Sequence, residues 1–188
     1  HSMGDIAILV RKRYDIKRLE QYLMSVGIPV FVYKGGGLCE LDCIQVIIHF
    51  LKGMLRLDDA ISWYGIARDI LELTDAQLLA ISKEKESLGV ILRRTLDPAL
   101  SLVRERCEAW DSALRMGAVV DQLQGLVWSL DLVIQGSDSD KEAVSRFMAH
   151  FSDQWQESKG NIHHCLEWLD YCIHHPRAMS LDNQPSGG

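Results

Sequence analysis

Basic side chains near the start of the chain offer the first candidate chemistry. They follow the apolar run Ile6-Ala7-Ile8-Leu9-Val10, and they are Arg11, Lys12, Arg13, Lys17 and Arg18. Guanidinium and ammonium groups at the carboxyl end of a strand can hold DNA phosphates through charge-assisted hydrogen bonds. The alternative is a solvated helix start, although cations near a helix N-terminus are slightly unfavourable. The pattern therefore indicates a DNA contact, with a solvated surface as its alternative.

Three consecutive glycines, Gly35, Gly36 and Gly37, form the second candidate. Glycine-rich loops after a strand can cradle phosphate groups with their backbone N–H groups. However, no Lys-Ser or Lys-Thr follows, and the sequence contains no GxGxxG. Because glycine accepts many backbone conformations, we predict that the triplet is a hinge between two subdomains.

Histidine and cysteine residues near the end of the chain form the third candidate, a zinc site. They are His163, His164, Cys165, Cys172, His174 and His175. Their spacing matches no standard zinc pattern, and the cysteines fall on an apolar helix face, so core packing is favoured over metal binding. The chain has 5 cysteines and no CxxC, which predicts reduced, mostly buried thiols.

Catalytic motifs are missing from this sequence. It has no nucleophile elbow, no HExxH and no phosphate loop ending in Lys-Ser or Lys-Thr. The carboxylates are scattered, as they are on solvated helix faces. We therefore predict no catalytic residue and no metal site.

Composition limits the class of protein. The chain has 188 residues, of which 47% are apolar, and a net charge of -6. An acidic balance argues against a dedicated, free-standing nucleic-acid binder, so any DNA contact must come from a local basic patch. No apolar run approaches the ~20 residues that a membrane helix needs, and we expect a cytoplasmic protein.

The elements that would position the basic cluster and the glycines form a short α/β piece. The branched run 6–10 predicts a buried strand, and a helix then runs from Asp15 to Gly27 with Tyr22 and Val26 among its apolar positions. The run Ile28-Pro29-Val30-Phe31-Val32-Tyr33 predicts a second strand, parallel to the first. Parallel sheets need cover on both faces, so this β-α-β piece is incomplete by itself.

Nearly all of the chain after the triplet shows helical periodicity. Helices are predicted near 41–55, after Asp58-Asp59, after Thr74-Asp75, from Pro98, near 119–133, after the polar loop 136–140 and from 162 onwards. The predicted fold class is mainly α with a small α/β portion, in which two parallel strands precede a multi-helix subdomain. Residues 1–3 resemble a tag remnant, 4–37 form the partial α/β segment, 38–175 the helical subdomain and 176–188 a flexible tail.

Several segments together resemble the start of the second motor domain of UvrD/Rep-like superfamily 1 DNA helicases, nearest to the RecB/AddA branch of helicase-nuclease subunits. The segments are Ile6-Ala7-Ile8-Leu9-Val10-Arg11, Leu19-Glu20-Gln21-Tyr22-Leu23, Gly27-Ile28-Pro29-Val30 and Gly35-Gly36-Gly37. Weaker similarity continues at Leu57-Asp58-Asp59, at Leu73 to Leu79 and from Phe147 to Leu169. After the glycines the sequence departs from the family, because Leu38, Cys39, Leu41, Cys43 and Val46 stand where relatives have aromatic, basic and acidic residues.

The resemblance implies a parent protein that uses ATP and Mg²⁺ to move along single-stranded DNA in repair or recombination. It implies that the helical part is the mobile 2B subdomain, and that Arg11 lies near bound DNA with Lys12, Arg13 and Lys34 as supporting phosphate contacts. Because the ATP-binding loop is not in this sequence, we predict that the fragment alone is inactive. A partner protein subunit is a further expectation. The alternative is a helical protein–protein interaction module with no DNA role, which the acidic charge favours.

Overall fold

The computed structural model describes residues 8, 10, 18, 19, 22, 23, 25–28, 37–81, 83, 86–116, 118–175 and 179. The chain divides into two compact units, His1–Gly35 and Gly36–Gly188, which we call the N-terminal unit and the helical unit. The predicted tag remnant, and all of the predicted tail except Met179, lie outside the described residues.

A helix occupies the middle of the N-terminal unit and ends at Gly27. This glycine has φ 76°, and the Ile28 N–H closes the last turn by donating to the Leu23 carbonyl at 2.9 Å. The prediction that the helix ends at Gly27 is therefore confirmed, and the glycine ends it in a left-handed conformation. The described helical residues are Arg18, Leu19, Tyr22, Leu23 and Ser25.

The two predicted strands of the N-terminal unit are not shown. Ile8 and Val10 have no strand structure, and neither does Ile28, while the other residues of both predicted strands lie outside the described part of the chain. The prediction of a buried strand is wrong at Ile8, whose exposed fraction is 57%. A parallel strand is buried only when both faces of its sheet are covered, and a unit of this size has too little chain for that.

The first element of the helical unit is the 3₁₀ turn Leu38–Glu40, and a second 3₁₀ turn, Pro98–Leu100, leads directly into the helix that begins at Ser101. The mainly α fold class is confirmed. The helices among the described residues are α1 (Asp42–Leu55), α2 (Ala60–Asp69), α3 (Asp75–Ile81), α4 (Leu88–Arg94), α5 (Ser101–Arg115), α6 (Val119–Trp128), α7 (Asp131–Ile134), α8 (Asp138–Glu157) and α9 (Ile162–His174). None of the described helices is long and apolar enough to cross a membrane.

Helix α1 lies at the centre of the helical unit and packs against α2, α8 and α9. The ring of Phe50 on α1 meets that of Trp110 on α5 edge to face, with centroids 5.2 Å apart. Phe147 and Phe151 of α8 pack against Trp168 of α9 with tilted rings, at centroid distances of 5.6 and 6.2 Å. Burial of such apolar and aromatic surface is the main force that holds the helices together. The fully buried α1 residues are Ile44, Ile47, Ile48, Phe50 and Leu51.

Side-chain caps fix where several helices begin. The Asp59 carboxylate accepts from the Ser62 N–H at 3.0 Å and starts α2, as the sequence predicted. The Thr74 N–H donates to the side-chain oxygen of Gln77 at 2.9 Å at the start of α3, the helix that was predicted after Thr74-Asp75. These bonds satisfy N–H groups that have no partner within the helix.

The helix that the sequence predicted near residues 119–133 is divided into α6 and α7. The Ser129 hydroxyl donates to the Leu126 carbonyl at 2.7 Å, and the Ser129 N–H bonds back to Gly125 and Leu126. A serine that bonds to its own preceding turn competes with helix propagation, which explains the break. Helix α4 was not predicted, because its 7 residues are too few to show a period.

Replacing Ser137 by alanine is expected to destabilise the helical unit by about 1 kcal/mol. The Ser137 hydroxyl accepts from the Asp140 N–H at 3.1 Å, and the Asp140 carboxylate accepts from the Ser137 N–H at 3.1 Å. The substitution removes the first of these two bonds and so half of a reciprocal cap on α8. Urea unfolding followed by circular dichroism measures the loss. The matched control is Ser139→Ala, an exposed helical position, where no loss is expected. Equal stability of the two variants would contradict the role of the cap.

Candidate nucleic-acid interface

The predicted phosphate-binding cations fall on a part of the chain that the structure does not describe. Arg11, Lys12, Arg13 and Lys34 all lie outside the described residues, as do the predicted hinge residues Gly35 and Gly36. Their roles in DNA contact and in the hinge stay predictions.

Gly37 is the described member of the triplet, and its backbone is extended, with φ -69° and ψ 154°. Any residue can adopt this conformation, so the backbone angle at Gly37 does not itself require glycine. The N–H of the next residue, Leu38, donates a hydrogen bond to the Met179 carbonyl at 2.6 Å. The first turn of the helical unit is thus tied to a residue that follows α9.

Arg18 and Tyr22 form an exposed face on the helix of the N-terminal unit. Arg18 is exposed and Tyr22 keeps 65% of its surface in solvent, and a spacing of four residues places both on one side of the helix. Together with Val10 and Leu19 they line an open depression of about 340 Å³. A guanidinium next to an exposed ring can pair with a phosphate while the ring stacks on a base.

The spacing of apolar residues places Tyr22 on the apolar face of its helix, so its exposure was not predicted. The signal that could have found it is its distance of four residues from Arg18 in the sequence. Val26 is likewise exposed although it belongs to the same apolar set. An apolar stripe is buried only where a neighbouring element covers it, which periodicity alone does not reveal.

Many arginines of the helical unit are paired with carboxylates. The Arg93 guanidinium donates two hydrogen bonds of 2.8 Å to the Asp111 carboxylate, and Arg106 donates one of 2.9 Å to Asp131. Surface pairs of this kind also join Arg56 to Asp58 and Arg68 to Asp69. Pairing neutralises the field of each cation, so these side chains offer little attraction to a phosphate backbone.

A second cluster of charges lies between α1, α2 and α9. The Lys52 ammonium is 3.2 Å from the Asp59 carboxylate and 2.6 Å from that of Asp170, although only 11% of the Lys52 side chain is exposed. Burial alone would lower the pKa of Lys52, but the bonds to the two carboxylates outweigh it and raise that pKa. Burial would likewise raise the pKa of Asp59, but the Ser62 N–H and Lys52 lower it. The cluster is a set of ion pairs that links α1, α2 and α9, and its geometry does not resemble a reaction centre.

His49 and Ser62 are close enough to be weighed as a nucleophile and its base. The ring nitrogen Nδ1 of His49 is 3.4 Å from the Ser62 hydroxyl oxygen. Burial and the nearby charge of Lys52 lower the pKa of His49, which keeps its ring neutral at pH 7. However, Ser62 is fully buried, so no substrate can reach its hydroxyl in this fold. The pair is a packing contact between α1 and α2.

The residues weighed as zinc ligands do not converge. Cys165 and Cys172 are buried in the core, whereas His163, His164, His174 and His175 are exposed. Among the described residues, no group of three or more histidine, cysteine or acidic side chains is arranged to hold a metal ion. The described cysteines are free thiols, four of them buried, as the sequence predicted.

Comparison with known families identifies the chain. A family model of the UvrD-like helicase C-terminal domain matches residues 1–164, which covers the N-terminal unit and most of the helical unit. The chain therefore belongs to the UvrD-like helicase C-terminal domain family. Neither the curated proteins nor the solved structures gave a match.

Proposed function

We propose that this chain is the DNA-contacting and regulatory part of an ATP-dependent helicase of the RecB/AddA branch, acting in DNA repair or recombination in the cytoplasm. In this proposal the N-terminal unit is the first segment of the second motor domain, and the helical unit is the 2B subdomain inserted into that domain. The observation that carries the proposal is the family match over residues 1–164. The division into a small unit and a larger helical unit supports it.

The N-terminal unit is the proposed DNA contact. Five cations lie within residues 11–18 of a chain whose overall net charge is -6, so positive charge is concentrated where the family match begins. Arg11, Lys12 and Arg13 are the first candidates, with Lys34 in support. Arg18, five residues after Arg13 in the sequence, adds a further cation, and its side chain is exposed. Clustered cations hold the phosphate backbone without reading sequence, which suits a motor that must move along any strand.

The parent helicase is expected to need ATP and Mg²⁺. The residues of this chain do not form a site that could bind ATP with Mg²⁺. The sequence has no phosphate-binding loop with its lysine, and the described residues hold no cluster of carboxylates arranged for a cation. We therefore assign the chain DNA contact and regulation, and assign ATP hydrolysis to other parts of the parent.

The chain is expected to bind single-stranded DNA weakly and with strong salt dependence. Fluorescence anisotropy of a labelled oligothymidine, titrated with the 188-residue chain at several salt concentrations, measures both the affinity and its salt slope. Each lost phosphate contact on a single strand lowers the slope by about 0.7, so the double variant Arg11→Ala/Arg13→Ala should lower it by about 1.4.

The matched control for this titration is Arg56→Ala, which removes an exposed cation that already pairs with Asp58 at 2.9 Å. Its affinity and salt slope should equal those of the unaltered chain. Tight binding that ignores salt would contradict the proposal, and so would an equal loss of affinity in the control and the double variant.

The second candidate function is a helical protein–protein interaction module with no DNA role. Large apolar side chains on the surface of the helical unit favour it, notably Leu96 with 86% and Leu102 with 78% of their surface exposed. Exposed apolar side chains often mark contact with another protein where they form a contiguous patch. Complete absence of anisotropy change at low salt would favour this function over DNA contact.

A further inference from the structure

One side of the N-terminal unit brings a cation, an aromatic ring and apolar walls together around an open depression. Arg18 and Tyr22 line it from one face of the helix, and Val10 and Leu19 complete the lining. Its volume of about 340 Å³ lies at the lower end of the ~300–1,000 Å³ that small-molecule sites span. The depression therefore has the size and the mixed lining of a site for one nucleotide.

We propose that Arg18 and Tyr22 form a stacking site for one unpaired base of single-stranded DNA, with Tyr22 against the base and Arg18 on the neighbouring phosphate. The site raises the affinity of the N-terminal unit for single strands relative to duplex. This inference rests on the proposed function, because it adds a base contact to the phosphate contacts assigned to Arg11, Lys12 and Arg13.

The ring of Tyr22 is accessible, and its backbone is held in place. Tyr22 has an exposed fraction of 65%, so a base can reach the ring from solvent. The Tyr22 carbonyl accepts the Val26 N–H at 3.2 Å and the Ser25 hydroxyl at 2.7 Å, which keeps the chain helical at this position. A tyrosine on a rigid element has few side-chain torsions to fix, so stacking costs little conformational entropy.

Arg18 supplies the charge that this site needs. Its side chain is exposed, and no carboxylate in the described part of the chain pairs with it. Arg56 and Arg68 of the helical unit, by contrast, are each paired with a neighbouring aspartate. The Arg18 guanidinium lies about one helical turn before Tyr22, so it can donate to the phosphate next to a base that stacks on the ring.

The apolar walls favour a base over a second phosphate. Val10 and Leu19 are half-buried and give the depression an apolar lining beside the ring. The face of a nucleobase stacks on aromatic rings whatever its sequence, whereas a phosphate against apolar walls loses its hydration without gaining a bond. The lining therefore matches a base at Tyr22 and a phosphate at Arg18.

A base contact gives a selectivity that cations alone do not provide. Duplex DNA carries its phosphates at a higher linear density than a single strand, so a surface made only of cations binds duplex at least as well. A ring can stack only on a base that is not already paired and stacked within a duplex. Dependence on the presence of bases is therefore the signature of the Tyr22 contact, and dependence on salt is the signature of the cations.

The alternative occupant of the depression is an apolar side chain of a partner protein. The surrounding charge favours nucleic acid, because five cations lie within residues 11–18 of a chain whose net charge is -6. With a protein occupant, Tyr22→Ala would leave the DNA affinity unchanged, and that result would overturn the proposal.

Fluorescence anisotropy of the 188-residue chain with three labelled probes of equal length tests the site. The probes are oligothymidine, a strand of the same charge with abasic sites in place of bases, and a duplex. The unaltered chain should bind oligothymidine about fivefold or more tightly than the abasic strand, because the stacking of one base supplies a factor of this order.

Tyr22→Ala should bind oligothymidine about fivefold more weakly and keep its affinity for the abasic strand and the duplex. Tyr22→Phe should bind all three probes as the unaltered chain does, because the ring remains. The matched control is Val26→Ala, which removes exposed apolar surface from the same helix without removing a ring, and no change is expected. Arg18→Ala should instead lower the salt slope by about 0.7 on both single-stranded probes.

Two results would overturn the stacking site and leave the proposed DNA contact in place. One is equal affinity of the unaltered chain for oligothymidine and the abasic strand, and the other is equal affinity of Tyr22→Ala and the unaltered chain for oligothymidine, in each case with weakened binding by Arg11→Ala/Arg13→Ala. If Tyr22→Ala does not fold, the comparison of the two strands on the unaltered chain decides. Failure of the unaltered chain to bind any probe at low salt would overturn the proposed function together with the site.

Discussion

Replacing Gly89 by alanine is expected to destabilise the helical unit by about 2–3 kcal/mol, near the upper end of overpacking costs. A Cβ atom at this position would lie 2.5 Å from the indole nitrogen of Trp63 and 2.7 Å from the carbonyl oxygen of Leu57. Neither neighbour can move cheaply, because Trp63 is fully buried and the Leu57 oxygen belongs to the backbone. The guanidinium of Arg93, 4.5 Å from the centroid of the Trp63 ring, closes the site from a further side. Urea unfolding followed by tryptophan fluorescence measures the effect.

Two other glycines supply controls of graded severity. At Gly125 a Cβ atom would meet nothing within 4 Å, so Gly125→Ala should stabilise α6 by about 0.5–1 kcal/mol through helix propensity alone. At Gly53 the new atom would collide with Cδ1 of Ile66, the far end of a flexible side chain, so Gly53→Ala should cost less than Gly89→Ala. An equal response at Gly89 and Gly125 would show that the approach of Trp63 to α4 does not govern stability.

The close contact between Trp63 and α4 illustrates what the sequence of the helical unit could and could not predict. The periodicity of apolar residues located α1, α5, α8 and α9, because burial of one helix face repeats every three to four residues. Caps such as Asp59 were also predictable, since they act over only three positions. The close contact of Gly89 with Trp63 joins residues far apart in sequence, and no local pattern encodes it.

In the candidate site, too, only features that depend on neighbouring residues could be predicted from the sequence. The end of the helix at Gly27 was readable, because it depends on neighbouring residues. The cations around Arg11 are clustered in the sequence, and their contact with DNA stays a prediction. The exposure of Tyr22 was not readable, because it depends on which elements cover the helix. The pairing of Lys52 with Asp170 was equally hidden, since it requires α1 and α9 to be packed together first.

Lys52→Met is expected to destabilise the helical unit by about 2–3 kcal/mol. This value is below the usual cost of breaking a buried ion pair, because one partner, Asp170, is half exposed. The substitution leaves Asp59, with 14% of its side chain exposed, without the cation 3.2 Å away. Asp170→Asn should cost much less, because 52% of the Asp170 side chain meets water. Urea unfolding at pH 7 measures both variants, with Arg56→Ala as the exposed-pair control, for which a change within about 0.5 kcal/mol is expected.

The dependence on pH separates this charge effect from a loss of packing. The pKa of Asp59 is depressed below its ordinary 3.8, so its contribution is present above that pH and is lost as the pH falls through the folded value. The pKa of Lys52 is raised above its ordinary 10.5, so its contribution is present below that pH and is lost as the pH rises through the folded value. The stability gap between the unaltered chain and Lys52→Met should therefore be widest between these limits and shrink as the pH falls below 3.8 and Asp59 becomes protonated. The double variant Lys52→Met/Asp59→Asn should recover part of the loss at pH 7, because asparagine keeps the cap on α2 and leaves no buried charge unpaired. A gap that stays constant from pH 7 to pH 3 would mean that the alkyl chain of Lys52, and not its charge, holds α1 to its neighbours.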